Sequence, residues 1–260
     1  MALARQRHAA CIIVGGGSGT RLPGAVEKQF LSLGGMPIVA RTALAMQSSP
    51  EIASIVLVVP RGREDFARRE IAQAFGVDRV AAVVAGGATR AESVRLGLAA
   101  VPANVDWILV HDAVRPLATP ALVARVLAAA GATGAAIPAL RVADTVKRAR
   151  VAEPAQAAAA DAGAASTTAA QITVEETIDR ARLWAVQTPQ AFGQRTLVDA
   201  LARAERDNID APDCASLVER NGGVVAIVEG ETHNIKITTP DDLFLAEAIL
   251  AARHAKGEGR

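Results

Sequence analysis

At 260 residues the chain is long enough to bury one substantial α/β core, and its 28 basic and 27 acidic residues leave a formal net charge of +1. That balance excludes a broad electrostatic footprint for nucleic acid or for an anionic membrane, so an anionic ligand has to be met locally. No uncharged apolar stretch approaches the roughly 20 residues of a membrane span. The apolar run behind Arg5 and Arg7 breaks at Gly15 without an A-x-A-like cleavage site, and it reads as a first strand rather than a signal peptide. Cys11 and Cys214, the only cysteines, form no C-x-x-C pair, which makes a reducing cytoplasm the simplest setting.

In chain order, apolar and β-branched runs predict strands at 9–14, 55–59, 80–84, 107–110 and 134–138. Helical periodicity fills the intervals at 37–47, 63–75, 90–101 and 120–130, each long enough for a right-handed crossover between parallel strands. The alternation predicts an α/β fold with a Rossmann-like, mostly parallel sheet flanked by helices. Strands at 142–150 and 172–178 follow, separated by an Ala-rich, low-complexity insert at 152–170. With no helix between them, these two strands suit a hairpin arm at 142–182 within a single 1–260 domain. Helices at 194–206, 213–220 and 240–253 and a strand at 224–228 complete the pattern.

In such a sheet, ligands bind beyond the carboxyl ends of the strands, so the loops after Val14, Val84 and Val110 carry the chemistry. The first reads Gly15-Gly16-Gly17-Ser18-Gly19-Thr20-Arg21. Its backbone can turn N–H groups toward phosphate oxygens, or it is simply a flexible turn. It lacks the Lys-Ser or Lys-Thr pair of a P-loop, and Thr20 stands where a dinucleotide fingerprint needs its third glycine. Arg21 and Lys28 are cations that can flank a triphosphate; alternatively, Lys28 is an ordinary solvated lysine. The second loop holds Gly86, Gly87, Thr89 and Ser93, with helix capping as the bland role for the last two. The third, His111-Asp112-Ala113-Val114-Arg115-Pro116, offers a carboxylate for a metal and a guanidinium for a phosphate, or a simple Asp–Arg bridge.

Seven ordered blocks then carry a resemblance: GGGSGTRL followed by EKQFLSLGGMPI, GGATRAESVRLGL, VHDAVRP, ADTVKR, TIDRARLWAVQTPQAF, DCASLVE and NIKITTPDDL. Together they span nearly the whole chain, which resembles the 2-C-methyl-D-erythritol 4-phosphate cytidylyltransferase family of the non-mevalonate isoprenoid pathway. The resemblance implies a nucleotidyltransferase fold with a projecting β-arm, a homodimer built through that arm, CTP and a polyol phosphate as small-molecule substrates, and Mg2+ as cofactor. No nucleic acid or membrane partner is implied.

The resemblance places Gly15, Gly16, Gly17, Ser18 and Gly19 at the triphosphate, with Arg21 and Lys28 as its cations. It places Gly86, Gly87 and Ser93 at cytosine and ribose, and Asp112 near the metal and nucleotide. Arg115 and Lys236 would face the acceptor phosphate or the reaction centre, Thr145 and Arg180 would hold the acceptor in the neighbouring subunit, and Thr188 would contact substrate. Two positions depart from the family pattern: Glu27 stands where proline usually precedes the lysine, and Ala88 where an acidic residue often follows the paired glycines. A transferase acting on ribitol 5-phosphate shares much of this pattern. A Rossmann reductase lacks its third glycine and its acidic residue after 55–59, and a non-catalytic nucleotide binder would have no use for Arg21, Lys28 and Asp112 together.

Overall fold

The computed structural model describes residues 9–17, 27–151, 172–255 and 257, so Ser18, Gly19, Arg21 and the Ala-rich insert lie outside the described residues. The chain divides into two compact units, one comprising 1–139 with 186–260 and the other 140–185.

The first unit opens with β1 (Ala9–Val14), a 3-10 turn (Lys28–Phe30) and the small hairpin β2 (Ser32–Leu33) and β3 (Met36–Pro37). Then come α1 (Ile38–Gln47), β4 (Ile52–Val59), α2 (Glu64–Phe66) widening into a π-helical stretch (Ala67–Gln73), β5 (Val80–Ala85) and α3 (Arg90–Ala99). β6 (Trp107–Asp112), α4 (Pro120–Thr133) and β7 (Ala135–Arg141) lead into the second unit, which holds β8 (Val146–Val151), β9 (Ile172–Ile178), a 3-10 turn (Arg180–Arg182) and most of β10 (Trp184–Val186). The chain returns through β11 (Gln190–Gly193), α5 (Gln194–Arg206), α6 (Cys214–Arg220), β12 (Ala226–Glu229) and α7 (Pro240–Ala255).

The first unit's sheet runs β12-β7-β11-β6-β1-β4-β5, all parallel except β11. β1 lies in the interior of the sheet, between β6 and β4, and is buried on both faces, which is why it reads as an unbroken apolar run rather than an alternating one. Ala9, Cys11 and Ile13 pack with Met46 of α1 and Leu122 and Val126 of α4, while Ala10 and Ile12 pack with Val94 of α3 and Leu197 of α5. From β1 the chain moves to β4 and β5 on one side and then returns to β6 on the other. The connections leaving β1 and β6 therefore part in opposite directions, and a crevice opens at their carboxyl ends.

Two differences from the sequence reading have local causes. The periodicity misses β11, which at four residues is too short to show alternation, yet it inserts antiparallel between β6 and β7. Gly134 closes α4 instead of starting a strand: at φ 86° it takes the left-handed conformation that a glycine adopts without a Cβ clash.

In the second unit β8 and β9 pair antiparallel from Val146 opposite Ile178 to Val151 opposite Ile172, with a bulge between Arg148 and Ala149. An Arg148–Glu176 ion pair crosses the ladder. β8 starts at Val146 rather than at 142, so Thr145 precedes the strand, and Arg180 opens the turn after β9. The register therefore brings Thr145 and Arg180 to the same end of the hairpin.

Candidate active site

The loops after β1 and β5 close against each other through glycines. A Cβ on Gly16 would lie 3.0 Å from the Gly86 Cα, and one on Gly86 would lie 2.9 Å from the Gly16 Cα, so any side chain there would force two backbones apart. The approach is held from within. Ser93, buried at the start of α3, accepts a hydrogen bond from the Gly87 N–H at 3.1 Å. Glu92 accepts from the Ala88 N–H at 2.7 Å, and the Thr89 hydroxyl caps the Glu92 N–H at 3.1 Å. Thr89 thus has the capping role, while Ser93 fixes the loop and also lines the cavity that the loop borders.

That cavity, of about 240 Å³, is walled by Gly15, Gly16 and Gly17, by Lys28, by Gly87, Arg90 and Ser93, and by Asp112 and Lys236. Each wall has a separate structural tie. Gly15 continues the β1 ladder by donating to the Val58 carbonyl at 2.8 Å. Gln29, buried beside Lys28, donates to the Gly15 carbonyl at 2.8 Å and draws the lysine's turn against the glycine loop. The segment bearing Lys236 is pinned to the Asp112 loop by Ile237 N–H donating to the Val114 carbonyl at 2.9 Å and by Arg115 Nη1 donating to the Asn234 carbonyl at 2.8 Å.

Asp112 is the electrostatic centre. Lys236 Nζ lies 2.9 Å from Oδ2, Arg115 Nε 3.5 Å from Oδ2, and Arg90 Nη2 3.5 Å from Oδ1. Burial alone would push this carboxyl up, but Lys236, Arg90 and Arg115 outweigh it and hold Asp112 ionised well below the usual carboxylate range. Three cations around one carboxylate, with Lys28 also lining the cavity, make it locally positive although the whole chain is nearly neutral.

Beneath Asp112 lies a buried polar network. The Asp112 N–H donates to Thr188 Oγ1 at 3.0 Å, Thr188 Oγ1 lies 2.8 Å from His111 Nδ1, and His111 Nε2 lies 3.0 Å from the Arg115 carbonyl. A carbonyl only accepts, so Nε2 carries the proton; burial pushes the imidazole pKa down to about 4, so the neutral ring presents Nδ1 as an acceptor and the Thr188 hydroxyl donates to it. Asn234 Nδ2 donates to the Thr188 carbonyl at 2.8 Å. The resemblance puts Thr188 and Arg115 against substrate, whereas here both are buried and engaged: Thr188 between Asp112 and His111, Arg115 between Asp112 and Asn234.

Gly15, Gly16, Gly17, Lys28, Gly87, Ser93, Asp112 and Lys236 are thus brought together, and Gly86 supports them from behind. Thr145 and Arg180 belong to the second unit. Residue-by-residue reading overlooked Arg90 and Gln29, although both sit inside the blocks that carry the resemblance, one residue from Thr89 and Lys28. Asn234 and Gln187 also lie inside those blocks, but their hydrogen bonds arise only when distant segments meet.

Glu27 also finds a partner: its two carboxylate oxygens accept from Arg63 Nε at 2.8 Å and Arg63 Nη2 at 3.1 Å. Its charge is thereby matched on the outer side of the Lys28 turn.

The sequence profile of the 2-C-methyl-D-erythritol 4-phosphate cytidylyltransferase family matches residues 9–252. The chain is similar to the 2-C-methyl-D-erythritol 4-phosphate cytidylyltransferase of Syntrophus aciditrophicus, with 41% identity over 249 residues covering 96% of this chain and 97% of that protein. It is also 41% identical over 246 residues to the Geobacillus kaustophilus protein of that name, covering 94% and 98%. Among solved structures, 4-diphosphocytidyl-2C-methyl-D-erythritol synthase from Anaerococcus prevotii superposes with a TM-score of 0.74 at 27% identity, covering 95% of this chain and 99% of that one. The 2-C-methyl-D-erythritol 4-phosphate cytidylyltransferase from Thermus thermophilus gives 0.68 at 36% identity, covering 88% and 96%.

Proposed function

The chain belongs to the 2-C-methyl-D-erythritol 4-phosphate cytidylyltransferase family, and from that premise we propose how its own residues divide the work. The reaction transfers the cytidylyl group of CTP to 2-C-methyl-D-erythritol 4-phosphate, giving 4-diphosphocytidyl-2-C-methyl-D-erythritol and pyrophosphate. The same similarities favour this acceptor over ribitol 5-phosphate.

The observation that carries the site assignment is the convergence of two glycine loops, Lys28, Lys236 and the ionised Asp112 on one cavity. An acceptor phosphate oxygen attacks the α-phosphorus in line; the new P–O bond forms as the bond to the bridging oxygen breaks, and pyrophosphate leaves with the electron pair. Among the described residues that line the cavity, the two hydroxyls are engaged with backbone, Ser93 Oγ accepting from the Gly87 N–H and Thr89 Oγ1 from the Glu92 N–H, so direct transfer without a covalent enzyme intermediate is the reading they support. Lys28 and, by resemblance, Arg21 meet the charge that grows on the triphosphate, while the glycine loop offers backbone N–H groups to the phosphates. Gly87 and Ser93 border the base and ribose. Lys236, which is 44% exposed at its side chain, is placed to exchange Asp112 for an incoming phosphate.

A magnesium ion fits this residue set as a largely substrate-held ion. Among the described residues no three His, Cys, Asp or Glu side chains cluster, but one ionised carboxylate lines the cavity, and magnesium typically takes one or two carboxylates together with substrate phosphates. Asp112 would hold it, and the ion would neutralise triphosphate charge.

The homodimer has support in the second unit, where Val151, Ile172 and Val174 are each more than 60% exposed, an apolar row of the kind a partner covers. Thr145 and Arg180, at one end of the hairpin, then reach the acceptor in the partner's site. Two buried free thiols, Cys11 and Cys214, suit the reducing cytoplasm.

Steady-state kinetics of Lys28→Ala tests the assignment. Loss of a charge that acts in the transition state costs on the order of 3 kcal/mol, so kcat should fall about a hundredfold while KM for CTP moves little. A kcat close to that of the unmodified enzyme would remove Lys28 from the chemistry.

A further inference from the structure

We propose that Arg63 is a positioning residue for Lys28, acting through its two-pronged ion pair with Glu27. The proposal rests on the reading that Lys28 meets the triphosphate. Lys28 begins the 3-10 turn Lys28–Phe30, and Glu27 is that turn's N-cap, its carbonyl accepting the Phe30 N–H at 2.8 Å. The Glu27 side chain makes no capping hydrogen bond; its carboxylate reaches outward to Arg63, the residue that precedes α2.

The other end of the turn leads to the same place. The Phe30 ring packs edge-on against Phe66 of α2, with centroids 5.2 Å apart at 80°, and the Arg63 guanidinium lies 5.9 Å from the centroid of that Phe66 ring. Gln29 ties the middle of the turn inward to Gly15. The lysine backbone is therefore held at three points, and Arg63 takes part in two of them.

The pair is exposed, at 45% for Arg63 and 22% for Glu27, and an exposed pair contributes little to stability. Its effect belongs on the catalytic step, where a small misplacement of a charge is felt strongly. This also accounts for the departure from the family pattern. Glu27 has φ −62°, the value that proline imposes by its ring, and an extended ψ of 134° that proline accepts. Here the ion pair holds by charge a backbone whose φ proline fixes covalently.

The test uses the full chain, with kcat, KM for CTP and Tm measured for Arg63→Ala, Arg63→Lys, Glu27→Pro, Glu27→Pro with Arg63→Ala, and Lys28→Ala. Arg63→Ala should lower kcat about tenfold with little change in KM or Tm. Arg63→Lys should recover only part of the loss, since an ammonium cannot reproduce the two-pronged fork. In the Glu27→Pro background, Arg63→Ala should have no further effect, because proline sets the conformation alone. An unchanged kcat for Arg63→Ala, the same loss in the proline background, or a fall in Tm large enough to explain the lost activity would each overturn the proposal. Were Lys28→Ala also to retain its kcat, the lysine reading itself would fail; a collapse of Lys28→Ala alone would confine the failure to Arg63.

Discussion

Asp112 gathers the site's charge because its backbone is fixed from below as firmly as its carboxylate is surrounded above. Thr188 is the hub, accepting from the Asp112 N–H and donating to His111, whose other nitrogen bonds the Arg115 carbonyl. Removing that hydroxyl leaves a buried donor and a buried acceptor without partners, each costing about 1–3 kcal/mol. Thr188→Val should therefore lower Tm by several degrees and reduce kcat, and Thr188→Ser, which keeps the oxygen, should recover most of both. A Thr188→Val enzyme with unchanged Tm but weakened acceptor binding would return Thr188 to direct substrate contact. The residue types of the site were legible in the sequence, since Lys28, Asp112, Ser93 and Lys236 all line the cavity. The internal partners were less so: the bonds of Thr188 to Asp112 and His111, and of Arg115 to Asn234, mostly join segments far apart in the sequence.

Among the elements, the crevice follows from strand order, and the sequence conveyed most of it. Continuous apolar runs marked β1, β4, β5 and β6, and the glycines after β1 and β5 marked loops open to a ligand; that these loops also close against each other at Gly16 and Gly86 emerges only in the fold. β11 was invisible, being four residues that owe their strand to the neighbours β6 and β7. The segment after Lys236 is another case of local order set by a side chain. Asp242 in the first turn of α7 accepts from the Thr238 N–H at 2.7 Å, the Thr238 hydroxyl at 2.8 Å and the Thr239 N–H at 2.8 Å, while Thr239 Oγ1 accepts from the Asp242 N–H at 3.2 Å. Burial opposes ionisation, but these donors outweigh it and set the Asp242 carboxyl below its ordinary 3.8. A depressed carboxyl contributes stability that is present above the unfolded value and is lost as pH falls through the folded one. Asp242→Asn should thus be less stable than the unmodified protein at neutral pH, with the gap in Tm closing as pH drops below 3.8. A gap independent of pH would mean that the charge of Asp242 is not what holds the segment.

At the scale of the whole molecule, the chain carries one unit with the glycine-lined cavity and a hairpin unit with an exposed apolar row. If the hairpin serves the partner's site, Arg180→Ala and Lys28→Ala subunits should each be poorly active alone and regain activity on mixing, since one site of the mixed dimer draws Lys28 from one chain and Arg180 from the other. No gain from subunits shown to have exchanged would place the acceptor site within one chain. The central claim, that this cavity joins a cytidylyl group to a methylerythritol phosphate, is tested most directly by pyrophosphate release from the purified enzyme with CTP and magnesium, using 2-C-methyl-D-erythritol 4-phosphate in one arm and ribitol 5-phosphate in the other. Release should be rapid with the first acceptor, slight with the second, and absent with either in excess chelator; faster release with ribitol 5-phosphate, or release with neither, would contradict the assignment.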